Sequence, residues 1–133
     1  MSVEVAIVDG PLLPRQAAPS KGAGAEICFE GVVRPTEGGR ALRGLEYEVY
    51  EPMAQRMIAR LAWQAVREFR LLAVQVEHSR GHVPVGACAF RLRVASPHRA
   101  EGLAAVSHFI DELKHDVPIW KRPVFATPTE TAL

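Results

Sequence analysis

Two stretches of helical apolar spacing, each with a proline at its start, interrupt a chain whose other apolar runs alternate residue by residue. That mixture of periods restricts the chain to folds combining helices with strands. Met53, Met57, Leu61 and Ala65 recur every fourth residue, with Ile58, Ala62, Val66 and Phe69 widening the stripe, and Pro52 suits the start of that helix. A second stripe, Leu103, Val106, Ile110 and Leu113, follows Ser96-Pro97, which reads as a cap residue and a first helical proline; Pro118 forbids continuation. Alternation predicts strands over 3–8, 25–33, 42–50, 71–77, 85–95 and about 117–125. Residues 11–24 read as loop, 34–40 as a mobile loop and 81–84 as a turn, and the tail after Ala126 is expected to fray. The order strand, strand, strand, helix, strand, strand, helix, strand predicts an α+β fold: one domain over 1–133, with a largely antiparallel sheet and two main helices.

Sixteen Lys plus Arg against fifteen Asp plus Glu leave a formal charge of +1. Such near-balance argues against a nucleic-acid coat, which needs a dense basic face. No apolar run approaches the roughly 20 residues of a membrane span, and the N-terminus lacks a signal-peptide pattern. The expectation is a cytoplasmic protein that needs neither disulfides nor metal to fold. Cys28 and Cys88 lie in strand-like runs and read as packed cysteines. His78, His82, His108 and His115 show no metal-ligand spacing and read as structural or surface histidines.

Basic residues gather at element boundaries: Arg34 after the second strand, His98-Arg99 at the start of the second helix, Lys114 at its end, and Lys121-Arg122 after Pro118-Ile119-Trp120. A helix N-terminus beside His and Arg is a ready anion site, although each residue taken alone also fits a solvated surface charge. From His98 to Lys114 is sixteen residues, about 24 Å along an α-helix. One small ligand cannot touch both ends, so a shared pocket would combine two chains across a twofold dimer; otherwise the clusters serve separate sites. Trp120 reads either as a packing anchor or as a stacking wall.

Taken together, Phe29-Glu30-Gly31-Val32-Val33-Arg34, Leu45-Glu46-Tyr47-Glu48-Val49-Tyr50-Glu51-Pro52-Met53-Ala54, Ser96-Pro97-His98-Arg99-Ala100-Glu101, Leu113-Lys114 and Val117-Pro118-Ile119-Trp120-Lys121-Arg122 resemble the large, catalytic subunit of molybdopterin synthase, over about residues 24–125. The resemblance implies an α/β hammerhead-like fold. It also implies an enzyme that transfers sulfur to cyclic pyranopterin monophosphate, forming the dithiolene of molybdopterin. The sulfur would arrive on the C-terminal Gly-Gly thiocarboxylate of a small ubiquitin-like carrier subunit. Two large subunits would form a homodimer core with one carrier at each end, a heterotetramer. No cofactor, metal, nucleic acid or membrane enters this scheme.

By the same resemblance, Lys114 and Lys121 are the catalytic lysines. Arg34, with His98 and Arg99 from the other subunit, would hold the substrate, and Val32, Val33, Arg122 and Pro123 would line the pocket. Fixed cations stabilise the anionic charge of thiocarboxylate attack, and neighbouring cations lower a lysine's pKa towards neutrality. Three departures from the family pattern stand out. Pro123 replaces a Glu that could orient Lys121. His78-Ser79-Arg80-Gly81 moves a basic residue by one position. The sequence ends at Leu133, short of a Gly- and Trp-containing tail. These departures support an alternative, a non-catalytic binding or regulatory paralogue of the same fold. An unrelated anion-binding α+β domain is a third reading.

Overall fold

The computed structural model describes residues 1–127. Nine elements follow in order: β1 (Ser2–Asp9), β2 (Ala25–Val32), β3 (Thr36–Glu37), β4 (Arg40–Val49), α1 (Met53–Phe69), β5 (Ala73–Pro84), β6 (Cys88–Ser96), α2 (Arg99–Asp116) and β7 (Ile119–Phe125). The seven strands form one sheet in which only the β1–β5 pairing is parallel. The expected α+β class, with a mainly antiparallel sheet and two helices, is the one observed. The fraying predicted after Ala126 falls largely on residues outside those described. Among the described residues, no helix is long and apolar enough to cross a membrane.

Strand β5 joins two halves of the sheet. Its residues 73–80 pair with β1, and 73–78 also pair with β6, whereas 81–84 pair with β4. Gly81, with φ of +86°, sits where the strand leaves one set of partners for the other. A side chain would strain that backbone, so glycine permits the change of course. The segment 81–84 is therefore strand rather than the expected turn, and the reversal comes at 85–87. The 34–40 segment also differs from the mobile loop expected of it. Thr36-Glu37 pairs with Arg40-Ala41 around Gly38 and Gly39, both at positive φ. Two such residues are what a tight type I′ hairpin requires.

Both helices lie over the β1–β5–β6–β2 half. Ile58, Ala62 and Val66 of α1 and Val106, Phe109 and Leu113 of α2 bury against Val74, Val76, Leu92 and Val94. The buried faces are turned slightly from the stripes predicted: Met53 and Leu103 are about half exposed, while Ala54, Ala105 and Phe109 are buried. Ser96 does not cap α2. It ends β6 opposite Ala25, its hydroxyl donates to the His98 carbonyl oxygen, and His98 occupies the cap position in an extended conformation. Pro97 accounts for the shift, because the residue before a proline is pushed towards extended backbone. A second, smaller core of Val33, Leu42, Leu45, Val83 and Ala89 fills the β4 half.

On the face away from the helices, Arg91 is 2% exposed. It donates to Glu30, Glu77 and the Leu13 carbonyl. Arg93 donates to the Arg15 carbonyl, so the loop expected over 11–24 is tied flat onto the sheet. Cys28 faces this side of β2 and is exposed, contrary to the packed role expected of it; Cys88 is half-buried.

Candidate functional site

The seam between the two cores holds a cavity of about 600 Å³. Leu113 and Ile110, from the last turns of α2, form one side, and Val33, Leu42, Leu45 and Ala89 of the smaller core form the other. The β3–β4 hairpin folds over it through Thr36 and Glu37. A tight hairpin can be held over a cavity in a way that a disordered loop cannot, because its glycines fix the direction of the strands.

Three cations reach this space from three elements: Arg34 just beyond β2, Lys114 in the last turn of α2, and Lys121 in β7 opposite Tyr47. None forms an ion pair among the described residues. The acidic residue of the lining is Glu37. Unpaired cations around a concave space attract and orient an anion, and the partly apolar wall strengthens that attraction by excluding water. A lysine at a helix C-terminus is also well placed, facing the negative end of the helix dipole.

The remaining lining is aromatic. Phe29, Tyr47, Phe90 and Trp120 contribute, with the ring of His78 between two of them. His78 meets Tyr47 edge-on at 5.2 Å and Phe90 at 5.9 Å, and Phe90 meets Phe29 at 6.1 Å. Burial pushes the His78 imidazole below its ordinary pKa and the Tyr47 phenol above its own. Trp120 is 56% exposed at the cavity wall, a position that fits stacking better than core packing.

Of the site residues predicted from sequence, Val32, Val33, Arg34, Lys114 and Lys121 come together here. His98 and Arg99 do not; they lie at the opposite end of α2, where His98 contacts Glu101 at 3.2 Å. Arg122 and Pro123 stand opposite Glu46 and Leu45 in the β4–β7 ladder and are not part of this lining. The basic residue displaced to Arg80 points elsewhere, pairing with Asp9 at 2.7 Å and with Glu51. Sequence reasoning missed His78, Tyr47, Phe29, Phe90 and Glu37. The strand aromatics carry no signal that separates a cavity wall from a core, but Gly38-Gly39 was a usable hairpin signal for the segment bearing Glu37.

Comparison with known proteins gives a consistent set of likenesses. The family model described as MoaE protein matches residues 9–116. The molybdopterin synthase catalytic subunit of Arabidopsis thaliana is 41% identical over 103 residues, covering 77% of this chain and 52% of that protein. The human protein of the same name is 37% identical over 102 residues, covering 77% and 54%. The chain thus spans about half the length of these curated relatives. The X-ray structure of molybdopterin synthase from Staphylococcus aureus superposes with a TM-score of 0.82 at 29% identity, covering 90% of each chain. The complex of subunits 1 and 2 of molybdopterin-converting factor from Helicobacter pylori shares the fold, with a TM-score of 0.71 at 23% identity over 93% of this chain and 90% of that one.

Proposed function

The chain belongs to the MoaE protein family, and we propose from that premise that it transfers sulfur from the C-terminal thiocarboxylate of a small ubiquitin-like carrier to cyclic pyranopterin monophosphate. The observation that carries this reading is the trio of unpaired cations, Arg34, Lys114 and Lys121, around a cavity with aromatic walls. Both reactants are anions, one of them a planar heterocycle, and this lining suits both properties.

In this scheme the carrier's tail enters beside the exposed Val32 and reaches Lys114. Attack by the thiocarboxylate sulfur on a side-chain carbon of the pterin forms a carbon–sulfur bond and breaks that carbon's bond to oxygen, the oxygen departing on the phosphate or, once protonated, as water; a second carrier delivers the second sulfur of the dithiolene in the same way. The acyl group left on the carrier is returned by water to a carboxylate. Lys114 and Lys121 stabilise the negative charge that develops and exchange protons with it, while Arg34 holds an anionic group of the substrate. His98 and Arg99 would complete the site from a second copy of the chain, since the length of α2 keeps them from reaching it in their own. The assembly is then a homodimer with a carrier at each end, acting in the cytoplasm without a cofactor of its own.

The test is sulfur transfer by the purified chain, mixed with cyclic pyranopterin monophosphate and a thiocarboxylated carrier, with dithiolene product followed as its fluorescent oxidised derivative. Product that disappears with Lys114→Ala is the expected result. A stable complex with the carrier that yields no product would transfer the weight to the non-catalytic paralogue.

A further inference from the structure

The cations account for the anionic parts of a ligand in this cavity but leave one polar group in its wall unused. His78 is 6% exposed and lies between the rings of Tyr47 and Phe90. Its Nδ1 is 2.8 Å from the backbone carbonyl oxygen of Ser79. A carbonyl can only accept, so Nδ1 carries a proton and donates it. That leaves Nε2, on the other side of the ring, with no hydrogen-bond partner among the described residues, in a side chain that lines the cavity.

A second proton on this ring would be disfavoured twice. Burial opposes the charged form, and Arg34, Lys114 and Lys121 share the same cavity. Nε2 is therefore a lone pair free to accept, in a side chain of the cavity wall, and a donor on whatever fills the cavity can meet it. The aromatic neighbours restrict what can approach it. Phe29, Phe90 and Tyr47 surround it with aromatic faces and edges, against which the ring of a heterocycle can pack.

We propose that His78 Nε2 accepts a hydrogen bond from a ring N–H or amino group of the pterin, so that the cavity grips its substrate at a neutral aromatic wall as well as at its cations. The proposal rests on the sulfur-transfer reading for the identity of the ligand. It makes His78 a substrate-binding residue and not merely a core histidine.

Two substitutions separate the two nitrogens. His78→Asn places an amide N–H near the position of Nδ1 and keeps the bond to Ser79 while removing the acceptor. His78→Gln places an amide oxygen near the position of Nε2 and keeps the acceptor while removing the other bond. Binding of cyclic pyranopterin monophosphate to the whole protein is measured by calorimetry, alongside the melting temperature and the KM for each reactant. The expected result is about tenfold weaker pterin binding in His78→Asn at an unchanged KM for the carrier, with recovery in His78→Gln. Equal pterin affinity in wild type and His78→Asn would overturn the proposal, as would a loss confined to the carrier's KM. Should His78→Asn fail to fold, the ¹⁵N resonance of Nε2 in the wild type decides: it must move on adding the pterin, and a fixed resonance refutes the contact. A wild type that binds the pterin through His78 yet transfers no sulfur would leave this inference standing and remove the catalytic reading instead.

Discussion

The two ends of α2 meet the sheet in opposite ways. At the N-terminal end the helix is pressed against the strands: a Cβ on Gly102 would lie 2.6 Å from Ser96 Oγ and 2.7 Å from Ile27 Cδ1. At the C-terminal end the helix stands away from β4 and β7, and the gap is the cavity that Leu113 and Lys114 help to line. Close packing leaves no room for a ligand, so within one chain the cavity opens at only one end of this helix, and the residues of the other end can meet a ligand only from outside their own chain. Residues at either end can look alike in sequence, each a basic cluster beside a helix terminus, and still have different roles within one chain.

The contrast can be broken in several ways. The largest effect is expected from Lys114→Ala, which should cut product formation by 10²-fold or more, on the order of losing one preorganised charge in an active site. Its stability should change by no more than about 0.5 kcal/mol, because the side chain is exposed. A variant that keeps full turnover would show that the cavity end of the helix is not the catalytic one. Arg99→Ala should also lose most activity, but mixing it with Lys114→Ala should restore about a quarter of wild-type turnover. Half the dimers would then be mixed, with one intact site of two in each. No recovery after subunit exchange would mean that the two ends serve different sites.

At the packed end, Gly102→Val should lower stability by about 1–3 kcal/mol, the usual range for overpacking, and this reads directly from the melting temperature. An unchanged melting temperature would show that Ser96 and Ile27 yield easily. The smallest effect concerns His115, beside Lys114. The hydrogen bond that its Nδ1–H donates to the Asp116 carboxylate holds the exposed imidazole above its ordinary value of 6.5. A raised folded pKa favours the protonated fold, so this contribution is complete below pH 6.5 and fades as pH rises through the folded value. Asp116→Asn should move the His115 midpoint down in a proton NMR titration. An unmoved midpoint would show that the pair does not persist in solution.

Helices were the most legible part of the sequence, because Ile58, Val66, Val106 and Leu113 repeat at a period that no strand shares. Strand limits were harder wherever a breaker did something other than break. Gly81 and Pro84 read locally as a turn, yet Gly81 redirects β5 to β4, a partner that only the tertiary fold supplies. Ser96-Pro97 has the form of a helix start, but pairing with Ala25 keeps Ser96 in the sheet. In the site, Arg34, Lys114 and Lys121 stood out as unburied charges at element ends and through the family resemblance. His78 did not, since a histidine in an apolar run looks the same whether its free nitrogen meets a core or a cavity. Only the fold brings Phe90 and Tyr47 beside it.

The parallel pairing of β1 with β5 has a consequence for how the chain becomes a protein. Ser2 is matched to Ala73 and Asp9 to Arg80, so among the described residues the first strand finds its neighbour in the sheet 71 residues later. On a ribosome adding roughly 5–20 residues per second, β1 waits several seconds before its partner exists. Closing so long a loop is also a slow event by the rule that distant contacts delay folding. During that interval Val3, Val5 and Ile7, which later pack against the helix-covered core, have nothing to cover them. Glu4 between them and Asp9 at the strand's end are then the segment's main defence against pairing with another unfinished chain.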